Sequence, residues 1–215
     1  MIGPDGSSRA LGDGALKEPS AVAVLPYGAL YVLDAGAGAA FGLGADGTLG
    51  ERVFPGQAFY GPRGLTATGD GRLIVADTGN DRVLIGTPSG SPETITGLAQ
   101  PTSAVVLQDG TLLVVETASE RIVQLGANGV HIASWTMPPS ATVPAPQALA
   151  LPDGGWVVSH PEQRALILRR GSDGPVEQRP LGEAARRPSG LLLDQAGRLV
   201  VGDSETGTLR TFSIP

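Results

Sequence analysis

Apolar residues in this chain come in short bursts, and the bursts recur. A proline followed by a brief apolar run is found as Pro19-SAVAV, Pro62-RGLTA, Pro101-TSAVV, Pro146-QALAL and Pro188-SGLLL. The spacings are 43, 39, 45 and 42 residues. Runs of this length bounded by turn residues are strand signals. A turn with a glycine follows each first burst, at Gly28, Gly71, Gly110, Gly154 and Gly197. Glycine there supplies the positive φ of a tight hairpin. Second bursts come next: ALYVLD, RLIVAD, TLLVVE, GWVVSH and RLVVGD. They end on Asp34, Asp77, Glu116, His160 and Asp203. Third bursts include RVLIG from Arg82, RIVQL from Arg121, ALILR from Ala165 and TLRTF from Thr208. Glycine turns at 44–47, 87–90, 126–129 and 171–174 lead into a fourth, more polar segment.

Four strand signals per period of 40–45 residues predict a β-propeller with one four-stranded blade per repeat. The expectation is one all-β domain over residues 1–215, with five blades whose repeats start near 19, 62, 101, 146 and 188. The fifth repeat stops after its third strand. The chain opens with GPDG at 3–6, which matches the turn between third and fourth strands. Residues 7–12 then read as the missing fourth strand, so residues 1–14 are expected to complete the last blade. Without that strand the third strand of blade five is an unpaired edge. The Pro-rich stretch Met137–Pro146 is expected to be a stiff surface loop between blades three and four.

Composition narrows the function. The 215 residues are 17% charged, below the average for soluble domains, and hold 32 glycines and 18 prolines. With no cysteine there is no disulfide, thiol nucleophile or thiolate metal site. Two histidines cannot build a three-histidine zinc centre, and Lys17 is the sole lysine for any Schiff base. A net charge of −6 argues against binding a phosphate backbone, so no nucleic-acid partner is expected. No apolar run reaches 18 residues, and the first residues carry no apolar core of a signal peptide. A soluble monomer is expected, with no membrane association and no assigned compartment. There is no G-x-S-x-G, H-E-x-x-H, Walker loop or dinucleotide fingerprint, so no cofactor is expected. GLGADG at 42–47 lies in a strand-to-strand turn with no helix after it.

Repeat two, PRGLTATGDGRLIVADTGNDRVLIGTPSG at 62–90, resembles an NHL repeat. The resemblance lies in the Asp-Gly turn, the V-A-D-T-G-N corner and the Arg-Val that opens the next strand. Repeats three and five are similar at ETASERI and DSETGTL. Repeats one and four depart from the pattern at DAGAGAA and HPEQRAL. NHL propellers usually have six blades, so the alternative is an incomplete six-bladed ring. What the resemblance implies is broad: protein-binding platforms, RNA-binding surfaces, and scaffolds for lyases and lactonases. Fold alone does not choose among them.

Two sets of residues are candidates. The first is the corner set Asp34, Asp77, Glu116, His160 and Asp203. Three Asp and a Glu with a His suggest a metal. Yet equivalent second strands stand roughly 10 Å or more apart, given about 4.8 Å between neighbouring strands. Calcium needs oxygens at about 2.3–2.6 Å, so no shared metal is expected. The simpler reading is that each carboxylate accepts N–H bonds in its turn, with Arg82 pairing with Asp77. His160 is either a titratable group at the rim or drift in a degenerate repeat. His131 is expected on an outer strand with no role. The second set follows the register prolines: Ser20, Arg63, Thr102, Gln147 and Ser189. First strands are innermost in a propeller, so these polar residues should ring the central channel. Arg63 is their only charge and suits a carboxylate, phosphate or carbonyl cluster. A water-filled channel would need polar walls in any case. Phe59 and Tyr60 precede Arg63 and either cover a ligand or plug the gap between blades one and two. Trp135 and Trp156 lie in strand bursts and are expected to pack.

The reading favoured from the sequence is a non-catalytic binding or scaffold module that presents a propeller face to a protein, peptide or small ligand. One alternative is a lyase or lactonase on an NHL-like propeller. Such sites use several histidines or an Asn–Asp–Glu metal set, while Asn80 and Asn128 here lie in turns. The other alternative is a structural part of a larger assembly, or a repeat protein built for architecture.

Overall fold

The computed structural model describes residues 14–141 and 143–213. They form five antiparallel blades in chain order. Blade one holds β1 (Pro19–Val24), β2 (Leu30–Asp34), β3 (Ala39–Leu43) and β4 (Leu49–Arg52). Blade two holds β5 (Gly64–Ala67), β6 (Leu73–Asp77), β7 (Arg82–Gly86) and β8 (Glu93–Thr96). Blade three holds β9 (Pro101–Val106), β10 (Leu112–Glu116), β11 (Arg121–Leu125) and β12 (His131–Thr136). Blade four holds β13 (Ala148–Ala150), β14 (Trp156–His160), β15 (Ala165–Arg169) and β16 (Val176–Pro180). Blade five holds β17 (Pro188–Leu193), β18 (Leu199–Asp203) and β19 (Thr208–Phe212), three strands among the described residues. The expected fourth strand at 7–12 lies outside the described residues. Among those residues no helix is long and apolar enough to cross a membrane.

The burial pattern explains the residues. Second strands such as LIVAD, LLVVE and WVVSH are buried at every position. Both of their faces are covered by neighbouring blades, so the usual polar alternation is lost. Fourth strands such as β16 are largely exposed and read VEQRP. The first hairpin of each blade turns on a glycine with φ between 74° and 87°.

Four apolar cores join consecutive blades. Leu25, Leu33, Phe54, Leu65 and Leu73 fill the gap between blades one and two. Ile74, Val83, Val114 and Val123 join blades two and three. Leu113, Ile122, Met137 and Trp156 join three and four, and Leu166, Leu181, Leu199 and Val201 join four and five. The described residues hold no fifth core between blades five and one. There the first strands stay open to solvent: Val22 is 58% exposed and Leu192 48%.

Two local features concern the register prolines and the long linker. Strands one of blades two and four begin at Gly64 and Ala148, two residues after their prolines. Proline has no N–H for the ladder, and only in blades one, three and five does an irregular register carry pairing to the proline itself. The Met137–Pro146 loop is anchored at its start by Met137, which is fully buried in the core between blades three and four.

Candidate functional site

In four blades the last residue of the second strand is a buried carboxylate that grips the linker entering its own blade. Asp34 accepts N–H bonds from Lys17 (2.7 Å), Glu18 (2.8 Å) and Ala37 (3.1 Å). Asp77 accepts from the Tyr60 N–H at 2.7 Å, Asn80 Nδ2 at 2.8 Å and Arg82 Nε at 2.7 Å. Glu116 takes the Ala99 N–H (3.1 Å), the Ser119 hydroxyl (2.6 Å) and Arg121 Nη2 (2.9 Å). Asp203 takes N–H groups of Arg186, Arg187, Glu205 and Thr206. Burial alone would push the Asp34 and Asp203 carboxyls up. The converging N–H groups outweigh it and hold both below the usual carboxylate value. Each carboxylate has its own donors at its own corner. Among the described residues no three His, Cys, Asp or Glu side chains gather as a metal site.

His160 occupies the same corner in blade four and is fully buried. The linker into this blade carries prolines at 138, 139, 144 and 146, which have no N–H to offer. What faces the corner is the Pro138 carbonyl, 3.0 Å from His160 Nε2. The Gln163 N–H donates to Nδ1 at 3.3 Å, which puts the ring proton on Nε2. A donor is needed where the other blades need an acceptor, and histidine supplies it. His131 is exposed at the start of the outer strand β12.

The first strands of all five blades border a central cavity of about 1340 Å³. Ser20, Arg63, Gln147 and Ser189 line it at the start of those strands, and Thr102, Phe59 and Tyr60 do not. Thr102 is fully buried, and its hydroxyl donates to the Pro146 carbonyl at 3.2 Å. Ser20 reaches the Pro62 carbonyl in the same way, at 3.4 Å. Phe59 sits in the core between blades one and two. Tyr60 is 70% exposed, and its ring lies over Gly79 rather than the cavity. Arg63 Nη1 donates to Glu18 Oε1 at 3.0 Å. Among the described residues the Gln147 amide and Ser189 hydroxyl make no side-chain hydrogen bond.

Sequence reasoning missed three parts of this site. Glu18, directly before the register proline of blade one, is the partner of Arg63. Val143, Pro144 and Ala145 bring the proline-rich loop to the mouth. Below the polar rim the wall is apolar, with Leu65, Val106, Leu149 and Leu191 among its residues. At the far ends of the first strands lie Asp70, Arg72 and Gln108. A hydrogen bond from the Thr68 hydroxyl, aided by Arg72, holds the Asp70 carboxyl low. Trp135 and Trp156 pack with centroids 5.2 Å apart, with Arg169 over the Trp135 ring.

Residues 59–85 match the NHL repeat. That match and the bladed architecture fit the NHL-repeat β-propeller family. No curated protein matches the sequence. Among solved structures the chain is similar to a streptogramin B lyase, with 16% identity and a TM-score of 0.67 over 90% of this chain and 65% of that one. It is similar to a catalytically inactive histidine-to-alanine variant of virginiamycin B lyase from Staphylococcus aureus with quinupristin, with 17% identity and a TM-score of 0.70. That likeness covers 92% of this chain and 66% of the lyase. A gluconolactonase from Xanthomonas campestris shares 19% identity at a TM-score of 0.69, covering 90% of this chain and 72% of that one. The chain thus spans just under two thirds of the length of the two lyases. At these identities the likeness is one of fold.

Proposed function

We propose that this propeller is a non-catalytic binding module that takes a peptide, a protein segment or a small ligand at the mouth of its channel. The observation that carries the reading is the cavity itself, large and apolar-walled, with Arg63, Gln147, Ser189 and Ser20 at one rim. Apolar walls with a few placed polar groups are the usual build of a ligand pocket. Arg63 offers the charge-assisted bond, and the neutral rim residues set orientation. The rim therefore suits a carboxylate or a carbonyl-rich group on a partly apolar body. The lyase and lactonase neighbours support an enzyme as the second reading. Against it, one of those lyases is inactive once a histidine is replaced. Here His160 is committed to the Pro138 carbonyl and His131 lies on an outer strand.

The test is a thermal-shift screen of carboxylate and peptide libraries, followed by titration of wild type and Arg63→Ala. A ligand that raises the wild-type melting temperature should lose about 1.5–3 kcal/mol of affinity in the variant. Unchanged affinity in a folded Arg63→Ala protein would remove the rim from the site. Turnover of any hit would favour the enzyme reading instead.

A further inference from the structure

The linkers into blade one and blade five are tied to their corners by the same hydrogen bonds. The Lys17 and Glu18 N–H groups donate to the Asp34 carboxylate at 2.7 and 2.8 Å. The Arg186 and Arg187 N–H groups donate to the Asp203 carboxylate at 2.7 and 3.2 Å. The Ala35 N–H closes on the Glu18 carbonyl at 2.9 Å, and the Ser204 N–H on the Arg187 carbonyl at 3.0 Å. Glu18 and Arg187 each precede a register proline that pairs with the corner residue, Pro19 with Asp34 and Pro188 with Asp203. Arg187 therefore holds in blade five the backbone place that Glu18 holds in blade one.

Glu18 shows what that place reaches. It lines the mouth of the cavity, and its carboxylate meets Arg63 Nη1 at 3.0 Å. A side chain from this slot thus arrives at the rim, and arginine is longer than glutamate. The residues before the other register prolines are Gly61, Gln100 and Ala145, so Glu18 and Arg187 are the charged pair of the set. In blade five the cavity wall begins at Ser189, two residues on, which leaves Arg187 at the lip. Arg187 is exposed, and its side chain makes no hydrogen bond or ion pair among the described residues. Its neighbour Arg186 pairs with Glu183 at 3.0 Å and Glu205 at 3.8 Å. An exposed side chain with nothing to hold changes rotamer in picoseconds to nanoseconds, so Arg187 can close on a guest. The chain carries a net charge of −6, yet this rim sets two guanidiniums against one carboxylate.

Resting on the reading of the mouth as a ligand site, we propose that Arg187 is its second anion anchor and that the guest is a small organic diacid. One carboxylate is held by Arg63 and the other by Arg187. The two guanidiniums come from blades two and five, with blade one and its Glu18 between them. A guest with one carboxylate satisfies one arginine, whereas two carboxylates on one body use both forks. The carbon chain between them lies on the apolar wall at Val22, Leu65 and Leu191.

The test titrates linear α,ω-dicarboxylates from malonate to sebacate, each beside the monocarboxylate of equal length, into wild type, Arg63→Gln and Arg187→Gln. Calorimetry at low ionic strength reads affinity, and circular dichroism checks that both variants are folded. One chain length should bind best. Each variant should weaken that diacid about fivefold, the upper end for an exposed ion pair. A monocarboxylate should lose affinity in one variant at most. Loss in Arg63→Gln with Arg187→Gln unchanged would overturn the second anchor and leave the channel mouth standing as the site. Loss in Arg187→Gln alone would overturn the two-anchored guest. If no diacid binds, the ligand class falls, and the wider library still tests the mouth. A diacid that binds both variants as it binds wild type would remove the second anchor and the mouth together.

Discussion

The corner in blade four gives the sharpest prediction of how this fold chooses its residues. His160→Asp makes that corner like the other four by sequence and should nevertheless destabilise the protein. The Pro138 carbonyl loses the His160 Nε2–H, its donor at 3.0 Å and the only one among the described residues. An unpaired buried acceptor costs about 1–3 kcal/mol, and the lost bond about 1 kcal/mol more. The new carboxylate would be buried beside a carbonyl oxygen, with the Gln163 N–H as its one evident donor. Together these place the loss at about 3–5 kcal/mol. For a domain of this size that is a fall of roughly 6–20 °C in melting temperature. His160→Gln should cost only about 1 kcal/mol, because its amide can donate and accept at once. Thermal unfolding followed by circular dichroism at pH 7 compares all three proteins. If His160→Asp melts within about 2 °C of wild type, the low end of the shift expected for 1 kcal/mol, then the proline-rich linker is not what selects histidine.

Asp77→Ala strips Arg82, Asn80 and the Tyr60 N–H of their acceptor and should cost about 3 kcal/mol in a denaturant titration. Added calcium should leave that loss unchanged, and a calcium-dependent wild type would refute the hydrogen-bonded corner. The lowered carboxyls of Asp34 and Asp203 bind a proton less readily folded than unfolded. Their contribution is therefore complete above the unfolded carboxylate value of about 3.9 and is lost as pH falls through the lower folded values. Asp203→Asn should lower the melting temperature at pH 7 yet shrink its drop between pH 5 and 2.5. An undiminished drop would mean that Asp203 is not part of the acid transition.

The period, the blade count and the corner positions were legible because packing between blades repeats with the sequence. Each second strand must be apolar on both faces and end where the entering linker needs an acceptor, and those demands recur at every blade. What a repeat slot does not encode is its neighbour. Ser20 and Thr102 share one slot, yet Ser20 borders the cavity while Thr102 is sealed under the blade-four linker. Glu18 escaped notice because its partner Arg63 lies 45 residues away, in another blade. The meaning of His160 depended on a carbonyl 22 residues upstream. Proline composition hinted at that carbonyl only once the lack of N–H groups in the linker was set beside the donors used by the other four corners.

The Arg63–Glu18 pair makes the channel mouth its own competitor. The Glu18 N–H is fixed by Asp34, so its carboxylate is delivered to the guanidinium by the scaffold. An anionic guest at the proposed mouth would have to displace a tethered rival. Glu18 is 58% exposed at the side chain, and such a pair is worth about 0–1 kcal/mol, an occupancy penalty of up to about fivefold. If the mouth is a binding site as proposed, this pair would disfavour weakly held anions by up to that factor, and a guest that also fills the apolar wall would lose least by it. Selectivity there would then work by subtraction, through an internal decoy whose backbone is held by the same corner that shapes the blade.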